Sequence, residues 1–255
     1  MIINFKISNQ GCKADLNQPI DLSITSKVEN SFKAWYCKEV VHKVIEEGDF
    51  IGSVKRGGSV NFKEITINPH GNMTHTESVA HICEELVPIN KQLPKFHFIA
   101  QVITVNPCQI KETTDQKNVG DFCIELSQLE NRLDNNAEAL IIRTQQDYSS
   151  LQTKNHSNTN WPYICPKAAS HIRNKGVKHL LIDQPSVDKE IDGGKLLAHK
   201  AFWDYPNVID KERTITELIG VPVQVTDGLY LLNLSLANIE NDASPSRPII
   251  YKLFF

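Results

Sequence analysis

Short runs of β-branched and aromatic residues recur along this chain, and their spacing constrains the fold more than any other feature. Residues 61–67 (NFKEITI) alternate polar with apolar side chains, the period-two signature of a half-buried strand. Residues 96–105 and 139–144 are rich in the side chains that suit a pleated sheet, and 178–183, 228–236 and 249–255 read the same way. The N-terminal heptad MIINFKI also alternates like a strand. Helical candidates fall between them at 31–47, 122–133 and 166–175, with a shorter one at 195–203. Pro166 in the first turn and Gly176 just past the end give the 166–175 segment both a start and a stop. This mixed order predicts one α/β domain spanning residues 1–255, a length that α/β and barrel folds often reach undivided. The polar stretch 145–160, rich in Ser, Asn, Thr and Gln, reads as a long excursion within that domain.

Composition excludes several function classes. A formal charge of −3 and a pI near 6.3 leave no electrostatic footprint for nucleic acid or an anionic membrane. No apolar run approaches the roughly 18 residues of a membrane helix. The N-terminus lacks the basic stretch, apolar core and cleavage site of a signal peptide, so a cytoplasmic location is expected. The six cysteines contain no C-x-x-C pair, and without an export signal they are expected to be reduced thiols. Gly57-Gly58 and Gly193-Gly194 belong to no phosphate-binding pattern and read as turns. There is no G-x-S-x-G elbow, and Cys83, close to His81 in sequence, reads as packing. Trp35, Trp161 and Trp203 fit core packing individually, with a wall for an aromatic substrate as the other use of such rings.

The stretch from Asn68 to Ile82 holds most of the chemistry. It contains His70, His75 and His81 with Glu77 among them. In an extended chain His75 and Glu77 project from one face, which makes a half-site for a divalent metal. His81 shares their parity and would stand near such a metal without binding it. His70 has the opposite parity, so it needs a bulge or turn to join, for which Gly71 is suited. His42, His97, His156, His171 and His179 stand singly and read as structural.

The same stretch resembles the signature of the cyclase family, H-x-G-T-H-x-D-x-P-x-H in loose form, a family that includes bacterial kynurenine formamidases. Thr74-His75-Thr76-Glu77 sits on its T-H-x-D, and His81 occupies the later histidine. Asp21-Leu22-Ser23 matches the family's D-L-S, residues 176–188 (GVKHLLIDQPSVD) its G-V-x-x-x-G-I-D-x-x-S-x-D, His199-Lys200 its H-K/R, and Ile215-Thr216-Glu217-Leu218 its I-x-E-x-L. There are departures. Gly71 stands where the first histidine belongs, with His70 one residue earlier; Glu77 replaces Asp and Val79 replaces Pro. Residues 204–213 lengthen the gap from His199 to Glu217, which makes Asp227 a rival for the glutamate's role.

The resemblance implies an α/β domain of the swivelling β/β/α type, with a β-barrel-like centre and flanking helices, assembled as a homodimer or homotetramer. It implies a metal site, zinc or else manganese, held by His70, His75, Glu77, His199 and Glu217, with Glu77 able to bridge two ions. His81 would be the catalytic proton shuttle. The implied reaction is hydrolysis of a non-peptide amide in a small aromatic or cyclic substrate, with N-formylkynurenine giving kynurenine and formate as the type case. The alternative is a weak or silent relative that binds a small molecule or serves as an assembly subunit, an idea the displaced first histidine motivates.

Overall fold

Seven strands of the computed structural model, which describes residues 1–114, 117–144 and 147–255, close into a mixed barrel. In chain order they are β1 (His75–Glu77), β2 (His97–Thr104), β3 (Ala139–Arg143), β4 (His179–Ile182), β5 (Thr214–Glu217), β6 (Gly228–Leu236) and β7 (Ala243–Phe254). Neighbours run in the order β7-β6-β2-β3-β4-β5-β1, and β1 pairs back onto β7. The pairs from β2 to β5 are parallel, whereas β6 and β7 pair antiparallel with each other and β6 with β2.

Burial on both faces explains the composition of the two central parallel strands, β3 and β4, which carry apolar runs such as Ala139-Leu140-Ile141-Ile142. Ala139, Ile141 and Leu181 join Phe98, Val102, Leu232 and Ile250 in the barrel interior. The alternate residues Leu140, Ile142, Leu180 and Ile182 face outward and pack against two helices, α1 (Pro166–Asn174) and α2 (Leu197–Trp203). Helix α1 buries Ala168, Ala169 and Ile172, and α2 buries Ala198, Phe202 and Trp203. An N-terminal hairpin, Ile2–Ile7 with Gln10–Asp15, pairs with the end of β7 and covers Leu231 and Leu253 on another outer face.

The short strand β1 positions the polar cluster. It is antiparallel to both neighbours, with His75 opposite Glu217 of β5 and Pro245 of β7. Thr76 points to the other side and its hydroxyl lies 2.8 Å from that of Thr216. His75 and Glu77 therefore share the outer face with Ile215 and Glu217, beneath α2. One seam of an apolar shell carries carboxylates and imidazoles.

Two helical expectations are corrected. Residues 31–47 form loops and the short strands Val41–Val44 and Glu46–Glu47 instead of a helix. Trp35 and Tyr36 adopt left-handed backbone conformations that break any helix, and Val41–Val44 pairs with Lys63–Thr66. Residues 122–133 divide into a strand, Phe122–Ile124, and a single 3-10 turn, because Cys123 and Ile124 pair in parallel with Tyr163 and Ile164. The helices expected at 166–175 and 195–203 are present as α1 and α2. Of the polar excursion, residues 145 and 146 lie outside the described residues; the remainder makes one helical turn, Tyr148–Leu151, and packs against Lys33 through the His156 amide. All six cysteines are free thiols.

Candidate metal centre

His75 and Glu77 owe their placement to the ladder: alternate residues of an extended strand share a face. Thr74 fixes the strand's entry, its hydroxyl donating to the Leu218 carbonyl and accepting from the Ile24 amide. His70 reaches the same point by another route. Asn68 caps a single helical turn, Pro69–Asn72, by accepting from the Gly71 amide at 3.1 Å. Gly71 is needed for close approach, since a Cβ there would lie 2.1 Å from the Cys37 sulfur. His81 sits on a 3-10 turn, Val79–His81, that follows β1 and is capped by the Ser78 hydroxyl. The extended parity expected to carry through to His81 is thus replaced by a turn.

Four elements converge on Glu77. Its Oε1 lies 3.0 Å from His199 Nε2, and its Oε2 lies 3.3 Å from His70 Nδ1, 3.8 Å from His81 Nδ1 and 3.9 Å from His75 Nε2. Glu217 closes the group, with Oε2 3.5 Å from His75 Nε2 and Oε1 3.7 Å from His199 Nε2. The Val187 amide donates to Glu217 Oε1 at 2.8 Å, which leaves Oε2 turned toward His75. His70, His75, Glu77, His81, His199 and Glu217 are all brought together. Asp227 is not among them: it accepts from the Thr104 amide and hydroxyl and from Arg132. Residues 204–213 lie largely at the surface, between α2 and β5.

Two carboxylates outside the expected site hold its histidines. Asp188 Oδ2 lies 2.6 Å from His199 Nδ1, and the same carboxylate accepts from the Ala198 and His199 amides at the start of α2. His199 Nδ1–H therefore donates to Asp188, and Nε2 is directed at the two glutamates. Asp242 Oδ2 lies 3.0 Å from His70 Nε2 and 3.1 Å from His81 Nδ1. Asp188 was visible in the sequence only as the last letter of the S-x-D segment. Asp242 belongs to no quoted motif, and only its place at the start of β7, beside Ala243 opposite Glu77, brings it in.

The electrostatics follow from this packing. Burial opposes charge on Glu77, but the positive field of His81 and the hydrogen bond from His199 hold its carboxyl well below the usual range. Burial also opposes a charged His199, yet Asp188 and Glu77 hold it well above the ordinary imidazole value. For His70 the carboxylates of Asp242 and Glu77 overcome burial and push it up to about 10. Without a cation, the protonated imidazoles of His70 and His199 offset part of the carboxylate charge.

The donor set fits a divalent metal. Among the described residues His75 Nε2 and Glu77 Oε2 are buried with no hydrogen-bond partner, although they face each other. Such orphaned groups cost roughly 1–3 kcal/mol each, and more when charged. Tetrahedral zinc ligands at ~2.0–2.2 Å stand about 3.3–3.6 Å apart, close to the 3.5 Å between His75 Nε2 and Glu217 Oε2. Among the described residues two clusters have their ligand atoms close enough together to hold an ion, His75-Glu77-Glu217 and His70-Glu77-His81, and Glu77 is common to both.

A cleft of about 400 Å³ opens onto His70, His81, His199 and Glu217, with Trp35 on its wall. Trp35 stacks edge-on against the buried Trp161, with ring centroids 4.8 Å apart. Trp161 and Trp203 are core residues, and Trp203 lies 5.4 Å from the His199 ring.

The family model described as "Putative cyclase" matches residues 15–189, which include the whole His70–His81 stretch and Asp188. The chain belongs to the cyclase family. Kynurenine formamidase of Bacillus cytotoxicus is 26% identical over 205 residues, covering 78% of this chain and 84% of that protein. Kynurenine formamidase of Bacillus thuringiensis is 26% identical over 202 residues, covering 78% and 83%. Among solved structures, a "predicted metal-dependent hydrolase" from Bacillus stearothermophilus superposes with a TM-score of 0.62 at 14% identity, covering 92% of this chain and 98% of its own. An isatin hydrolase bound to the product analogue thioisatinate gives a TM-score of 0.63 at 13% identity, covering 92% of each chain. These likenesses establish the cyclase fold. No helix among the described residues is long and apolar enough to cross a membrane.

Proposed function

We propose that this cyclase-family chain is a metal-dependent hydrolase of a non-peptide carbon–nitrogen amide bond, with an N-formyl aromatic amine such as N-formylkynurenine as its leading substrate. The observation that carries the reading is the pair of buried, unpartnered atoms His75 Nε2 and Glu77 Oε2, set among Glu217, His199 and His70. His70, His75, Glu77, His199 and Glu217 would hold zinc or manganese. A divalent ion there supplies Lewis acidity, polarising an amide carbonyl and making hydroxide available near neutral pH.

The chain's own residues supply the rest. Asp188 fixes the His199 ring so that Nε2 faces Glu77 and Glu217. His81 lines the cleft and would carry a proton to the departing nitrogen, a task suited to imidazole. Trp35 offers a flat apolar wall at the mouth of the cleft, which supports an aromatic substrate. The kynurenine formamidase relatives favour the formamide, and the isatin hydrolase neighbour keeps cyclic amides in the test set. The displaced first histidine no longer favours a silent relative, because the helical turn at Pro69–Asn72 delivers His70 to 3.3 Å from Glu77.

The test is turnover of N-formylkynurenine by zinc- or manganese-loaded protein, followed as kynurenine release. Activity that chelation removes and metal restores is the expected result. A protein that holds metal stoichiometrically yet hydrolyses neither the formamide nor isatin would overturn the reading.

A further inference from the structure

We infer that Asp242 is a positioning residue that sets two histidines in opposite tautomers, His70 protonated on Nε2 and His81 protonated on Nδ1. This rests on the reading above, in which His70 serves the metal and His81 the proton. One oxygen does both: Asp242 Oδ2 lies 3.0 Å from His70 Nε2 and 3.1 Å from His81 Nδ1. An ionised carboxylate only accepts, so each ring nitrogen facing it carries a proton. In a neutral imidazole that places the lone pair on the other nitrogen. For His70 the lone pair falls on Nδ1, 3.3 Å from Glu77 Oε2 and directed into the cluster. For His81 it falls on Nε2, which has no hydrogen-bond partner among the described residues, on a side chain that lines the cleft. The first lone pair is a ligand's and the second is a base's.

Asp242 is itself held. Its carbonyl accepts from the Ser78 amide at 2.9 Å, and the next residue, Ala243, pairs with Glu77 in the ladder between β1 and β7. The carboxylate is therefore placed by the same short strand that bears His75 and Glu77. The His70 and His81 rings lie 4.4 Å apart and are inclined by only 31°, so neither can turn over without meeting the other. Removing the shared acceptor frees both rings at once. Carboxylates behind metal-bound histidines act in this way generally, and losing one lowers metal affinity or activity by roughly 10–100-fold.

The test uses full-length, zinc-loaded protein labelled with ¹³C and ¹⁵N in histidine, with His70 and His81 resonances assigned from the His70→Gln and His81→Gln variants. Wild type should show His81 protonated on Nδ1 and His70 on Nε2. In Asp242→Ala, His81 should move toward the Nε2-protonated form, zinc should bind more weakly, and kcat on a formamide should fall about 10–100-fold with KM unchanged. Asp242→Asn keeps the shape but sets either its carbonyl oxygen or its amide group at the shared position, so the two tautomers should be kept together or change together. Asp242→Glu should restore part of kcat. If Asp242→Ala does not fold, the isosteric Asn variant decides the matter. His81 found protonated on Nε2 in wild type, or one tautomer changed without the other in Asp242→Asn, would overturn the assignment. Wild type without turnover of any amide would defeat the proposed reaction, while the tautomers and zinc affinity still decide the role of Asp242.

Discussion

The side chains of His75, Glu77, Glu217 and His199 stand on regular strands and a helix and are at most 4% exposed, whereas those of His70, His81 and Asp242 stand on single turns and a strand end and are 23–30% exposed. The inner group cannot be neutralised by water, so its acids need protons or a cation fixed in place. The outer group meets solvent and the cleft, where protons can be exchanged. Glu77 belongs to both, with Oε1 toward His199 and Oε2 toward His70 and His81. Metal retention should therefore depend chiefly on the inner group, with His70 adding one ligand from the outer one, and proton transfer should depend on His81.

The largest effect should come from the shared residue. Glu77→Gln keeps the volume but removes the charge that both halves use, so metal per chain and turnover should both fall to background. Elemental analysis beside an activity assay checks this. A Gln variant that still holds metal would show that the halves are independent. Next, His81→Ala should keep fold and metal while losing roughly 10²–10⁴-fold in kcat, as expected for loss of a general acid–base group. Metal loss on that substitution would move His81 into the inner group.

A pH series sharpens the contrast between the empty and filled site. In metal-free protein His70 is pushed up from 6.5 to about 10. The stability it contributes is full below 6.5 and is lost as pH rises toward 10. In metal-loaded protein the ligands must be deprotonated, so acidification releases the ion and the stability goes with it. Melting temperatures should therefore decline with rising pH without metal, and with falling pH when metal is bound. A metal-free protein whose Tm climbs from pH 6.5 to 10 would contradict the upward shift of His70. The smallest effect belongs to the rim. Trp35→Ala should weaken binding of an aromatic substrate by about 1 kcal/mol, roughly fivefold in KM, with kcat little changed. Equal losses for aromatic and aliphatic formamides would remove Trp35 from substrate recognition.

Local rules made much of this legible in sequence. The strands at 139–144 and 178–183 were readable because both of their faces are buried and the composition shows it. The strand at 96–105 was readable because its β-branched and aromatic residues suit a sheet whose alternate positions Phe98, Ala100 and Val102 are buried. His75 and Glu77 were readable as a pair because strand periodicity alone puts them on one face. Barrel closure was not, since β1 is three residues long and its pairing with β5 and β7 is long-range. The segment 31–47 misled because its apolar spacing resembles a helix while its Val41–Val44 portion finds a distant strand partner. His70 looked displaced because counting residues assumes an extended chain, and the capped turn at Pro69–Asn72 changes the geometry. Asp242 lies 161 residues from His81 and had no local signal at all.

The central claim is that the inner group holds a metal ion, and a crystal structure of the zinc-loaded protein, with anomalous scattering recorded at the zinc edge, tests it most directly. The account predicts an anomalous peak ~2.0–2.2 Å from both His75 Nε2 and Glu77. No peak between them, or zinc elsewhere with both side chains turned away, would contradict it.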